Sequence, residues 1–411
     1  MKYDICVVGL GYIGLPTASI FAARGRKVYG LEINPRVVAI INSGQIHIME
    51  PDLDVFVRAA VQSGNLLAGS VPVVADIYIL AVPTPFLAGE DYPLPDLKYI
   101  ESAARAIAGS ASNSSLIILE STSPVGTTEK VKAWVDDERS RLGLTAIASA
   151  HYAHCPERVL PGQMLKELVT NDRLCGGLTP AASSRARDLY ALFCNGDIHL
   201  CDARTAEMVK LTENASRDVQ IAFANELSLV CDRLGLSVWD VIRLANRHPR
   251  VKILQPGPGV GGHCIAVDPW FIVDAAPDLT PLMRTARSVN DGKPHWVVEK
   301  ITVLAARFKS PSIACLGLAF KADVDDLRES PSLHIVEALA AQPSVTLLVD
   351  EPNINELPAS LRLSNVRKMS AEEAIRGADI VLLLVNHHRY KEIDRQLLQT
   401  KVVFDTRGTW S

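Results

Sequence analysis

The chain has 411 residues, 48% of them hydrophobic, with a formal net charge of −4. That length suits two or three domains with sizeable cores, and the charge gives no basic field of the kind nucleic acid requires. No apolar run reaches the roughly 18–20 residues of a membrane span, and MKYDICVVGLGYIG passes from a strand into a glycine turn with no signal-peptide pattern.

KYDICVVGL is a continuous apolar run, as a strand buried on both faces should be. A helix is expected over 15–24, then strands in KVYGLEIN, ADIYILAVPTP and SLIILEST. This alternation predicts a parallel sheet with helices on both faces. Near Thr205 the texture changes to RTAEMVKLTENASRDVQIAFANELSLVCDRLG, free of proline and with glycine only at its end. Thr205 suits the N-cap, Glu207 the positive helix end and Gly235 the stop. The spacing predicts one helix of about 30 residues, roughly 45 Å long. SVWDVIRLAN and PLMRTARSVNDGKPHWVVEKITVLAARF extend the helical section.

From Ser312 the strand–helix alternation resumes, and it echoes the start of the chain. YDICVVGLG matches SIACLGLAF, VYGLEINP matches TLLVDEPN, and ADIYILAVPTP matches ADIVLLLVNHH, in the same order. The expected fold is α/β: two Rossmann-like parallel-sheet domains, 1–200 and 309–411, joined by a central helical domain, 201–308, with a long connecting helix. The second sheet domain lacks the full glycine pattern, so it should hold a different ligand or bind it differently.

Gly9, Gly11 and Gly14 form G-x-G-x-x-G between a strand and a helix. The first allows the tight turn, the second lets backbone approach a pyrophosphate, and the third lets helix and strand pack closely. Glu32, 18 residues past Gly14 at the end of the second strand, suits a ribose diol and would repel a 2′-phosphate. NAD is therefore expected over NADP. Tyr12, Ile13 and Thr84 are placed with this cofactor site. Arg36 reads either as a neighbour of the adenine or phosphate, or as a solvated helix charge.

Lys210, Asn214 and Arg217 share one face of the long helix at i, i+4 and i+7. Three donors together suit an anionic or hydroxyl-rich ligand. STSPVGTT places Thr122 at the sheet's carboxyl edge, where ligands bind in such folds. In CPERVLPG, Glu157 and Arg158 read either as site residues or as a local ion pair, and Cys155 as structural. The eight cysteines show no C-x-x-C pair and no zinc spacing, so no metal is expected and most should be small buried hydrophobes in a reducing cytoplasm.

Cys264 is different. It ends the glycine-rich GPGVGGHC, preceded by His248, Arg250 and Lys252 and followed four residues later by Asp268. Backbone N–H groups of such a loop can cradle phosphate. A thiol there, near a lysine, would act as a nucleophile, with Asp268 as proton acceptor or orienter. Oxidising an alcohol to an aldehyde needs no thiol. Oxidising the aldehyde onward does, because a thiohemiacetal can release a second hydride and leave a hydrolysable thioester. NAD with Cys264 therefore points to a dehydrogenase that reaches the carboxylate. A non-catalytic nucleotide sensor would have no use for the thiol, and a two-electron dehydrogenase of the 6-phosphogluconate type would need neither it nor a second nucleotide lobe.

GLGYIGLP, STSPVGTT, CPERVLPG, EMVKLTENASRDV, GPGVGGHCIAVDPW and GLAFKADVDDLRESP fall in the order of the UDP-glucose/GDP-mannose dehydrogenase family, which the chain resembles over essentially its whole length. The resemblance implies NAD in the first lobe, a sugar nucleotide largely in the second, and four-electron oxidation at the sugar C6. It implies Cys264 as the thiol and Lys210 as acid/base or oxyanion stabiliser. Asn214 and Asp268 would position water and reacting groups, and Thr122 and Glu157 would support thioester hydrolysis. Lys321 would contact the sugar nucleotide, and Arg328 the cofactor side. The UDP-glucose pattern Cys-x-Pro-Lys-Asp is absent; Cys264-Ile-Ala-Val-Asp268 resembles instead the members acting on UDP-N-acetyl-D-mannosamine, with UDP-N-acetylglucosamine and UDP-glucose as the alternatives. In that subgroup Arg158, Val159, Arg217, His248, Arg250 and Gly261 would line the sugar and phosphates. His248 and Arg250 would act on a neighbouring subunit, since the family's members form dimers or larger homo-oligomers. The implied product is a uronic acid for polysaccharide synthesis.

Overall fold

The computed structural model describes residues 2–410 except 88, 90, 91, 161 and 263; Pro161 of the proline-flanked segment and His263 of the glycine-rich segment thus lie outside the described residues. The chain forms two compact units, residues 1–213 with 270–275, and residues 214–269 with 276–411. Among the described residues, no helix is long and apolar enough to cross a membrane.

The first unit is built on β1 (Tyr3–Val8), β2 (Val28–Leu31), β3 (Leu66–Gly69), β4 (Ala75–Leu80), β7 (Leu116–Leu119), β8 (His151–His154), β9 (Arg173–Gly177) and β10 (Ile198–Asp202); β5 (Phe86–Leu87) and β6 (Leu94–Pro95) form a separate hairpin. The sheet order is β10-β9-β8-β7-β4-β1-β2-β3. Period-2 alternation puts Ile5 and Val7 into one core and Cys6 and Val8 into the other, so helices cover both faces. One feature departs from the all-parallel expectation: β8 and β9 pair antiparallel. The helix Met164–Thr170 and the short run into β9 return the chain beside β8 in the opposite sense.

The second unit carries β11 (Ser312–Leu316), β12 (Thr346–Asp350), β13 (Val366–Lys368), β14 (Ile380–Leu383) and β15 (Val402–Asp405), all parallel, in the order β13-β12-β11-β14-β15. β1 pairs with β2 and β4 just as β11 pairs with β12 and β14. The three sequence echoes are thus one topology used twice. In each sheet the chain reverses its direction of travel beside the first strand, which opens a crevice at the carboxyl ends.

The long helix runs Ala203–Leu234. Its cap is Asp202, not Thr205: the Asp202 carboxylate accepts the Thr205 N–H at 2.9 Å and its hydroxyl at 2.6 Å. Glu207 does not serve the helix's own N-terminus. It is buried and accepts Gly126 N–H, Thr128 N–H and Thr128 Oγ1, tying the long helix to the start of helix Thr127–Arg141. Pro294 lies inside the helix Pro281–Ala305.

Candidate active site

The glycine turn at the carboxyl end of β1 is shaped by two constraints. Gly9 has φ 88, and a Cβ on Gly14 would sit 1.9 Å from the Gly9 carbonyl oxygen, so both must be glycine for the chain to close. A Cβ on Gly11 would meet nothing within 4 Å. No neighbour in the protein demands that glycine, which leaves the space above it for a pyrophosphate. Ile13 is the N-cap of helix Gly14–Ala23 and offers no capping side chain. Leu15 N–H bonds the Gly11 carbonyl at 3.1 Å and Pro16 carries no N–H, so the helix end is closed by the glycine turn itself. Tyr12 packs partly against the first core.

Glu32 leaves the end of β2 half-buried. Its Oε2 accepts Leu10 N–H at 3.1 Å and its Oε1 accepts Asn34 N–H at 2.9 Å, which aims the carboxylate at the glycine turn. These residues fit a bound NAD. Arg36 is exposed, its backbone N–H taken by the Asn34 side chain that caps helix Pro35–Asn42. Because Glu32 also braces the turn, Glu32→Ala should raise the KM for NAD roughly tenfold and narrow the preference over NADP by a similar factor. Steady-state kinetics with both cofactors checks this, and an unchanged preference would remove Glu32 from the ribose.

Across the switch point, the loops after β4 and β7 are clasped. Thr84 Oγ1 donates to the Thr122 carbonyl at 2.7 Å, and Ser121 Oγ accepts Val82 N–H at 2.9 Å. Thr84 and Thr122 are thus held together at the carboxyl edge.

Glu157 and Arg158 do not form an ion pair with each other. Glu157 is buried and its Oε2 accepts from Arg173 Nη2 at 2.5 Å, while its Oε1 accepts Arg158 N–H at 2.8 Å. Arg158 reaches away to Glu213 on the long helix, with Nη2 to Oε1 at 2.6 Å. Val159 packs against the first core. Arg173 lies over the Tyr190 ring at 4.3 Å, with Glu120 3.9 Å away. Glu120 accepts from Tyr190 OH and Thr17 Oγ1. Burial first, then the Glu157 carboxylate, pushes the Glu120 carboxyl up to about 7. Cys155 is fully buried beside Cys175, and burial raises its thiol, as a structural cysteine requires.

Lys210 belongs to the first unit, where its charge, after burial, helps hold His154 neutral, down to about 3. Asn214 stands one turn further along the same helix, and Arg217 next on that face is exposed. Asn214 Nδ2 donates to Asp268 Oδ2 at 2.5 Å. Asp268 is buried, and its N–H bonds the Cys264 carbonyl at 2.9 Å, so thiol and carboxylate lie one tight turn apart. Of the eight cysteines, five are buried, two intermediate, and Cys264 alone is exposed.

The glycines before Cys264 have a packing reason beyond ligand approach. A Cβ on Gly261 would fall 2.2 Å from the Glu329 carbonyl oxygen, whereas one on Gly257 would meet only the movable end of Arg407. At Gly261 the loop therefore lies directly on the segment that carries Lys321 and Arg328. Arg328 forks onto Asp326 at 2.8 and 2.6 Å. His248 and Arg250 are exposed after helix Val238–Ala245. Arg407, half-buried just past the end of β15 and bonded through Nε to the Leu384 carbonyl, has no place in the spacing argument. Its position at a carboxyl sheet edge, in DTRG, was the available signal. Arg173, Glu120, Glu351 and His387 were likewise invisible as neighbours, being far apart in sequence.

Three family models match in succession. The NAD binding domain of the UDP-glucose/GDP-mannose dehydrogenase family covers residues 3–194, its central domain 204–292, and its UDP binding domain 314–411. The chain belongs to the UDP-glucose/GDP-mannose dehydrogenase family. It is an NAD-dependent oxidoreductase of the UDP-sugar dehydrogenase type. An NDP-N-acetyl-D-galactosaminuronic acid dehydrogenase of Ralstonia solanacearum is 57% identical over 99% of this chain and 96% of its own length. A UDP-N-acetyl-D-mannosamine dehydrogenase of Salmonella typhimurium is 52% identical over 99% of both. Among solved structures, a UDP-D-ManNAc dehydrogenase of Pyrococcus horikoshii superposes with a TM-score of 0.87 at 38% identity, over 100% of this chain and 96% of that one.

Proposed function

We propose that this dehydrogenase oxidises UDP-N-acetyl-D-mannosamine at C6 to UDP-N-acetyl-D-mannosaminuronate, with Cys264 as the nucleophile. The observation that carries this reading is the exposed Cys264 one turn from a buried Asp268 that Asn214 holds. Bound NAD would supply the hydride acceptor for each two-electron oxidation. Lys210 takes the proton of the C6 hydroxyl and later faces the oxyanion. The Cys264 thiolate adds to the aldehyde carbon, forming a thiohemiacetal. Loss of the second hydride leaves a thioester, and water cleaves it to the acid and the free thiol. Asp268 and Asn214 orient the reacting groups, and Thr122 and Glu157 support the hydrolytic water. Two NAD are reduced per sugar.

Arg158, Val159, Arg217, His248, Arg250, Gly261 and Lys321 form the proposed substrate set, and Arg328 serves the cofactor side. The functional division is 1–200 for NAD, 201–308 for the long helix and catalytic loop, and 309–411 for the UDP moiety. A homodimer through the long helices is supported by exposed Phe223, Val230 and Leu234 on that helix. A cytoplasmic setting suits the free cysteines. The mannosamine assignment is supported by the Ile-Ala-Val between Cys264 and Asp268 and by the Salmonella relative. A second reading, the galacto-configured 2-acetamido sugar, is favoured by the 57% identical Ralstonia relative. A panel of UDP-sugars scored by NADH release decides between them. UDP-N-acetylmannosamine should give two NADH per sugar and the highest kcat/KM; one NADH per sugar would sink the mechanism, and a better galacto substrate would replace the sugar.

A further inference from the structure

The two units carry an acid at the same topological place and use it differently. Glu32 follows β2 and remains half-buried, open to a ribose. Glu351 follows β12, and its Oε2 likewise accepts the turn's N–H groups, from Leu318 at 2.7 Å and Ala319 at 3.0 Å. Glu351 is fully buried, however, because His387 closes over it, with Nε2 3.1 Å from Glu351 Oε2. In the second unit this carboxylate faces a protein partner where the first unit leaves room for a ligand.

The other nitrogen of His387 holds a loop. Its Nδ1 accepts Asp323 N–H at 2.9 Å, and Asn353 Nδ2 approaches the same atom at 3.2 Å. Two donors at Nδ1 fix the ring proton on Nε2, where it is given to Glu351. Asp323 Oδ1 in turn accepts His388 N–H at 2.9 Å, so the loop is tied twice. Asp323 and Glu329 have φ 61 and φ 51, two of the three non-glycine residues with positive φ among the described residues. Such backbone persists only where its surroundings over-determine it. Ser330 Oγ closes the far end on the Leu318 carbonyl at 2.7 Å. The held segment includes Lys321, and its Glu329 carbonyl lies against Gly261.

We propose that His387 is a positioning residue for nucleotide binding: with Glu351 it fixes the loop 320–329 and so places Lys321 against the UDP moiety. This rests on the assignment of Lys321 above. The test is UDP binding to the full-length protein by calorimetry, with NAD binding measured in parallel. His387→Gln keeps a donor for Glu351 and loses the acceptor for Asp323. It should weaken UDP about tenfold and leave NAD unchanged, a split that a general loss of stability would not produce. His387→Asn, whose Oδ1 can replace Nδ1, should recover most of that loss. Asp323 is exposed, so Asp323→Ala keeps the N–H bond to His387, breaks the loop's second tie, from His388 N–H to the carboxylate, without disturbing the buried pair, and should weaken UDP at least threefold. UDP binding as tight as the parent's in folded His387→Gln, or in Asp323→Ala if His387→Gln does not fold, overturns the proposal. Lys321→Ala separates the two readings. If it weakens UDP and the tie variants do not, Lys321 stands and the role of His387 falls; if none weakens UDP, both fall.

Discussion

Cys264→Ala will stop uronic acid formation, lowering turnover about a thousandfold or more, while NAD affinity stays within about twofold of the parent. The thiol is the only group in its turn that can form and release a thioester, so no neighbour can substitute for it. The variant should fold as the parent does. Cys264 is exposed, and surface substitutions usually change stability by less than about 0.5 kcal/mol. Loss of activity with an unchanged melting temperature therefore reports chemistry. The glycine turn and Glu32, which carry the NAD reading, are left intact by the substitution, which is why NAD affinity is expected to hold. The measurement is acid product by mass spectrometry beside NADH release and NAD titration. Full acid production in Cys264→Ala would mean that the thiol has no part in the reaction.

What the sequence disclosed followed from how local each signal is. Gly9, Gly11 and Gly14 and the turn Cys264–Asp268 each fit inside one short segment, so spacing alone placed them. Lys210 and Asn214 needed only the helical period. The duplicated topology was legible because strands buried on both faces leave long apolar runs with distinctive ends. The cap of the long helix was ambiguous, since Asp202 and Thr205 are both capping types and only the hydrogen bonds of Thr205 decide. The partners of Glu157 and Arg158 were not legible at all. Their spacing suggested each other, whereas burial selected Arg173 for one and Glu213 for the other. The antiparallel β8–β9 pair escaped for the same reason: strand direction depends on where the intervening helix packs, which no local pattern carries.

Arg173→Met should destabilise the first unit by roughly 3–5 kcal/mol. Arg173 comes from β9, Glu157 follows β8 and Glu120 follows β7, so three neighbouring strands deliver two carboxylates and one guanidinium to a buried place. Methionine keeps much of the volume between Tyr190 and Phe193 but leaves the carboxylates facing each other without a cation. The cost should depend on pH. The Glu120 carboxyl, ordinarily at 4.5, is raised to about 7 in the fold. A raised folded value means that its contribution to stability is full below about 4.5 and is lost as pH rises through about 7. Removing Arg173 removes one of the influences that lower it, so the loss will be larger at pH 8 than at pH 6, where Glu120 can take a proton. Glu120→Gln, uncharged at any pH, should flatten the decline of the parent between about pH 4.5 and 7 and, combined with Arg173→Met, restore part of the loss at pH 8. Denaturant midpoints of the four proteins at pH 6 and pH 8 decide the matter. Equal losses for Arg173→Met at both pH values would show that Glu120 does not take up the proton. A loss under about 1 kcal/mol would show that water reaches the two carboxylates and that the guanidinium does not hold this corner of the site together.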